Sequence, residues 1–152
     1  MSTGVEIRRA TRADVAAMTA LEAEIFDYSR MSRRSFVNAV TSPSAHCHVM
    51  VDNTSGALLG YSILFTRRGS RLWRLYSLAL APQARGRGLA RQLLEYLLSY
   101  ARTQGAAQLG LEVKCDNKAA IKLYEQLDFA LIDVLPGYYD DGIDGYKMRR
   151  GL

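Results

Sequence analysis

Four features of this chain have residue types and spacing that could do chemistry. The first is QARGRGLA, residues 83–90, where Gly86 and Gly88 stand among Arg85, Arg87 and Arg91 just ahead of an amphipathic run. A turn that opens directly into a helix leaves backbone N–H groups unpaired, and the aligned peptide dipoles add partial positive charge there. Two glycines in three positions cost backbone entropy and remove Cβ atoms that would hold an anion off the main chain. The physics is that of an anion site suited to a phosphate or diphosphate. It is not a P-loop, because no Gly-Lys-Ser/Thr follows, and Arg91 stands where a dinucleotide fingerprint needs its third glycine. The plainer alternative is an Arg/Gly surface turn.

The other three lie in LEVKCDNKAAIKLYEQLDF, residues 111–129. Glu112 sits between Leu111 and Val113 in a strand-like run, either as a buried, costly carboxylate or on a solvated face. Asn117 ends that run and can cap the following helix. Tyr124 comes two helical turns later, as a hydroxyl donor or as plain core with its hydroxyl at the rim.

Metal and thiol chemistry are poorly supplied. Cys47 and Cys115 are far apart, which suits two reduced thiols. His46 and His48 share a strand face, but no third ligand accompanies them, so no metal is expected. The net charge is +5, and sixteen of the twenty basic residues are arginine, which favours an anionic partner. No run reaches the roughly 20 apolar residues of a membrane span. The N-terminus MSTGVEIRR lacks a secretory h-region. A cytoplasmic protein of one domain, residues 1–152, is the expectation, without membrane or DNA as partner.

The elements that must position these residues read out by periodicity. Residues 5–9 form a strand. Thr11 with Asp14 resembles a capping box ahead of a helix with Val15, Met18, Leu21, Ile25 and Phe26 on its apolar side. Residues 32–40 form a second helix, which Pro43 helps to stop. Strands at 46–52, 58–66 and 72–80, joined by NTSG and RRGS, make an antiparallel meander. The third of these reads as apolar on both faces and therefore central. Leu89, Leu93, Leu94, Leu97, Leu98 and Ala101 line one side of a long helix ending near Gly105. A strand at 109–114, a helix at 119–127 and strands at 129–134 and 144–149 complete an α/β (α+β) order. The sheet is mixed, mostly antiparallel and flanked by helices.

With both motifs in this order, the chain resembles a GNAT-family N-acetyltransferase over essentially its whole length. The family's Q/R-x-x-G-x-G/A loop is similar to Gln83 through Ala90, and its N-x-x-A-x-x-x-Y helix to Asn117, Ala120 and Tyr124. Within the family it looks like the RimI type, which acetylates the N-terminal alanine of a ribosomal protein. The resemblance implies the GNAT fold and acetyl-CoA as co-substrate. Its diphosphate would lie on the N–H groups of Arg85, Gly86, Arg87, Gly88, Leu89 and Ala90. Its pantetheine arm would pair with Leu78, Ala79 and Leu80, and would touch Asn117. Glu112 would be the proton acceptor, Tyr124 the donor to the departing thiolate, and Tyr138 and Tyr139 would wall the acceptor site. A backbone N–H near Ala79 or Leu80 would meet the developing oxyanion.

The acceptor-facing loops are DYSRMSRRSF, residues 27–36, and GYYDDGIDGY, residues 137–146. The first lacks the aromatic-Pro-Trp stretch of the RimI type. Its Arg30, Arg33 and Arg34 suit an acidic acceptor or form a solvated charge run. Asp140, Asp141 and Asp144 in the second suit a cationic amine or a basic peptide. Three readings follow: acetylation of a protein or peptide N-terminus, a ribosomal one among the candidates; acetylation of a small amine; or a non-catalytic module binding RNA or a nucleotide. The third lacks the aromatic-rich basic stripe that single-stranded RNA uses.

Overall fold

The computed structural model describes residues 4–26 and 31–152. Strand β1 (Val5–Arg9) leads into a 3-10 turn (Arg12–Asp14) and helix α1 (Val15–Ile25), followed by α2 (Arg33–Thr41). The Asp14 carboxylate accepts the Thr11 backbone N–H at 2.8 Å, as the capping pattern predicts, but the cap opens a 3-10 turn before α1 begins. Ser32 caps α2 by accepting from the Ser35 N–H at 3.1 Å. The meander is β2 (Ala45–Asp52), β3 (Leu58–Phe65) and β4 (Leu72–Leu80). Helix α3 (Leu89–Thr103), β5 (Gln108–Lys114), α4 (Lys118–Gln126), β6 (Ala130–Leu135) and β7 (Gly145–Gly151) complete the chain. Among the described residues no helix is long and apolar enough to cross a membrane.

One seven-stranded sheet runs β1-β2-β3-β4-β5-β7-β6, antiparallel except where β4 meets β5. That parallel pairing covers only Leu72 to Arg74 against Gln108 to Gly110. From Leu75 onward β4 has ladder partners in β3 alone. The β3–β4 register also slips where Ile63 faces Ser77 but Leu64 faces Leu75, so Tyr76 is an extra residue on β4. Such a bulge increases local twist and bends its strand, which here accompanies the separation of β4 from β5.

All six α3 positions expected on the apolar side are buried, and Val15, Met18 and Leu21 of α1 are buried as well. β4 is central, but it is not apolar on both faces. Trp73, Leu75 and Ala79 are buried, while Arg74 and Tyr76 are exposed. The reason is tertiary: α1 packs on β3 and α2 on β2, so one face of β4 stays open. Helix α4 fully buries none of its residues, so Ile121, Leu123 and Tyr124 are only half-buried. On the α3 side, His48 is fully buried between the rings of Tyr96 and Tyr100, and neither of its ring nitrogens has a hydrogen-bond partner. Burial lowers its pKa to about 4.

Candidate active site

The glycine turn has the conformation its composition predicts. Gly86 lies at φ 77° and Gly88 at φ 72°, a region that costs L-residues energy. A Cβ built on either meets nothing within 4 Å, so within the protein backbone conformation alone requires the glycines. Gly88 is the N-cap of α3 and makes no side-chain capping bond. Its carbonyl takes the Gln92 N–H at 3.1 Å, and helix geometry leaves the N–H groups of Leu89, Ala90 and Arg91 without intrahelical acceptors. Leu89 anchors the turn in the core, Ala90 is half-buried, and Arg85 and Arg87 are exposed beside them. Arg91 instead pairs with Glu95 at 3.5 Å. Upstream, Ala79 is buried while Leu78 and Leu80 are half-buried on the stretch of β4 that β5 does not pair.

The gap between β4 and β5 opens on a cleft of about 530 Å³. Arg74, Tyr76 and Ser77 of β4, Glu112 and Lys114 of β5, and Tyr138, Tyr139 and Asp140 line one part of it. Glu22, Ile25, Phe26 and Met31 line the other. Phe26, expected on the apolar side of α1, is the helix C-cap and is 38% exposed into this cleft.

Glu112 resolves both alternatives at once: its side chain is only 14% exposed, yet it faces the cleft. Its Oε1 accepts from the Arg74 guanidinium, with the Tyr138 hydroxyl at 3.5 Å. Tyr138 and Tyr139 meet edge to face at 5.0 Å between centroids. Burial, then the neighbouring Tyr138 and Glu112, push the Tyr139 pKa up to about 12. Tyr124 packs on Phe129 at 5.7 Å and lies close enough to Tyr139 to raise that pKa as well. Burial pushes the pKa of Tyr124 itself up to about 12. The structure therefore gathers Glu112, Tyr138 and Tyr139 around one cleft, while Tyr124 is near Tyr139 but is not among the residues that line it. Asn117 accepts the Ala120 N–H at 3.2 Å and caps α4.

The acidic loop is used differently from the sequence expectation. Asp141 is tied to Lys114 at 2.5 Å, and that ammonium holds its carboxyl below the usual range. Asp144 accepts the Gly137 N–H at 2.8 Å. Both brace the loop, which leaves Asp140 as the aspartate lining the cleft. Arg33 and Arg34 are exposed in the first turn of α2, and Arg30 lies outside the described residues. Among the described residues no cluster could hold a metal ion.

Two cleft residues escape sequence reasoning. Arg74 reads as an ordinary strand cation until β5 is laid beside it. Glu22 had a visible signal, since it stands four residues after Met18 and seven after Val15, on the apolar stripe. It is 4% exposed, accepts from the Tyr61 hydroxyl, and takes the Met31 N–H at 2.7 Å. Burial, then this carboxylate, raises the Tyr61 pKa.

The chain matches known proteins throughout. The model of the acetyltransferase (GNAT) family matches residues 15–129. An uncharacterized Mycobacterium leprae protein is 35% identical over 92% of this chain, which spans only 39% of that protein's length. The N-alpha-acetyltransferase RimI of Mycobacterium tuberculosis is 34% identical over 96% of this chain and 92% of its own length. Among solved structures, the ribosomal-protein-S18-alanine N-acetyltransferase of Escherichia coli superposes with a TM-score of 0.87 at 26% identity, covering 97% of this chain and 94% of that one.

Proposed function

We propose that this chain, which belongs to the acetyltransferase (GNAT) family, is an acetyl-CoA-dependent N-acetyltransferase whose acceptor is the N-terminal amine of a protein or peptide. The observation that carries this reading is Glu112, a carboxylate half-sunk in the wall of a cleft that two tyrosines line beside it. The names of the M. tuberculosis and E. coli relatives support it, and an alanine-initiated ribosomal terminus is the first acceptor to test.

Acetyl-CoA, when bound, supplies the activated acyl thioester. The residues present fit it: two left-handed glycines at a helix start, exposed Arg85 and Arg87, and a stretch of β4 with one open edge. The N–H groups from Arg85 to Ala90 would hold the diphosphate, and Leu78, Ala79 and Leu80 the pantetheine arm, beside Asn117.

The amine must shed its proton before it attacks. At pH 7 that costs about 1.4 kcal/mol for an α-amino group of pKa about 8, against about 4.6 for a lysine near 10.4. Glu112, directly or through a water, accepts that proton more readily from the first, which favours chain termini. Arg74 holds one oxygen of the carboxylate, so the other is the one to take the proton. Tyr138 and Tyr139 wall the amine in. Tyr124 keeps its proton up to about pH 12, so its hydroxyl serves as a hydrogen-bond donor to sulfur more than as a full acid.

The test follows free thiol release from acetyl-CoA against N-terminal peptides, lysine-bearing peptides with blocked termini, and small amines. Turnover led by free peptide termini is expected. Turnover of small amines alone would reassign the acceptor.

A further inference from the structure

The cleft does not stop at Glu112. A second hollow of about 630 Å³ shares Arg74, Glu112 and Tyr138 with it and continues over β4, β5 and β7. Its walls carry four cations: Arg67 from the β3–β4 turn, Arg74, and Lys147 and Arg149 from β7. In the β5–β7 register Lys147 stands opposite Glu112 and Arg149 opposite Gly110, so they share one face, and Gly110 contributes no side chain to its floor. Glu112 is the one carboxylate lining this hollow, and Arg74 already holds it. Asp133 faces Lys147 in the β6–β7 register, but it is exposed and takes the Val134 N–H at 2.9 Å. Among the described residues no carboxylate pairs with Arg67, Lys147 or Arg149. The Arg149 Nε is buried without a hydrogen-bond partner, and buried donors ordinarily have acceptors.

We propose that this basic groove receives the acceptor peptide beyond its second residue and selects carboxylate side chains there. The inference rests on the N-terminal reading above. Gly110 lies two strand residues beyond Glu112, about 7 Å at roughly 3.3 Å per residue. An extended acceptor whose amine sits at Glu112 therefore brings its third and later residues against Arg149 and Arg67. Charge complementarity and continuity with the cleft fix the occupant: acidic residues enter a wall of unpaired cations, whereas basic residues are repelled.

The experiment measures kcat/KM by thiol release for peptides that begin Ala-Ala and continue with three Asp, three Gln or three Lys. It compares the wild type with an Arg67→Gln, Lys147→Gln, Arg149→Gln variant at low and high salt. Three ion contacts, one at the exposed Arg67 and two at the half-buried Lys147 and Arg149, multiply to roughly a tenfold preference for the Asp peptide over the Gln peptide, carried in KM. The preference should shrink at high salt and approach unity in the variant. If the variant does not fold, Arg67→Glu, in an exposed turn, should still cut the preference. Equal or poorer use of the Asp peptide by the wild type overturns the inference while leaving N-terminal turnover standing. If no peptide turns over, the N-terminal reading falls. The inference, which places an acceptor peptide in the groove, falls with it. Capture of a short RNA by the wild type but not the variant, with no peptide charge preference, assigns the groove to nucleic acid and also overturns it.

Discussion

Gly86 offers a sharp separation between backbone conformation and bulk. It sits at φ 77°, and a Cβ there meets nothing within 4 Å. Gly86→Ala therefore introduces no clash, and its cost is the left-handed backbone itself, about 1–2 kcal/mol. With a urea slope near 2 kcal/mol/M for a chain of this size, the unfolding midpoint should fall by roughly 0.5–1 M. Gly86→Asn should lose less, because asparagine tolerates positive φ, and Gly86→Val should lose more, because β-branched residues are outliers there. The same order should govern acetyl-CoA uptake measured by calorimetry, since the variants act by turning the N–H groups away. Uptake that falls with side-chain volume, Asn as badly as Val, would refute the conformational argument and return the requirement to steric room. A Gly86→Ala protein with unchanged midpoint and uptake would show that the turn is not held left-handed at all.

Four other perturbations test the remaining assignments. Glu112→Gln should lower turnover by roughly 10²–10³ with little effect on acetyl-CoA affinity, and unchanged turnover would remove Glu112 as the base. Tyr124→Phe should lower kcat more than it weakens acetyl-CoA binding, and equal losses in both would make the residue a packing element. Tyr61→Phe removes the hydroxyl from which the buried Glu22 accepts and should cost about 1–3 kcal/mol in urea unfolding, because a buried carboxylate loses a hydrogen bond that water cannot replace; a neutral change would discount that pair. His48 holds a folded pKa of about 4 against an ordinary 6.5. The unfolded chain therefore binds its proton first, and stability present above pH 6.5 drains by up to about 3 kcal/mol as pH falls toward 4. His48→Leu should flatten that acid limb in pH-dependent unfolding, and an unchanged limb would place the acid sensitivity elsewhere.

The sequence by itself determined the elements and their order, because each announces itself within a few residues. The 3.6-residue period from Leu89 to Ala101, the Asn117 cap and the two left-handed glycines are local facts, and the structure reproduces them. The glycine turn before α3 was legible for the same reason, since its conformation belongs to one turn and one helix start. The cleft was not. Arg74 and Glu112 are 38 residues apart, and Glu22 and Tyr61 are 39 apart. No spacing rule joins them; the parallel contact of β4 with β5 and the docking of α1 on β3 do. The same distance explains the misreading of β4. Whether a strand face is covered depends on where helices from elsewhere in the chain come to rest, and here α1 and α2 pack on β3 and β2 and leave Arg74 and Tyr76 facing the open cleft.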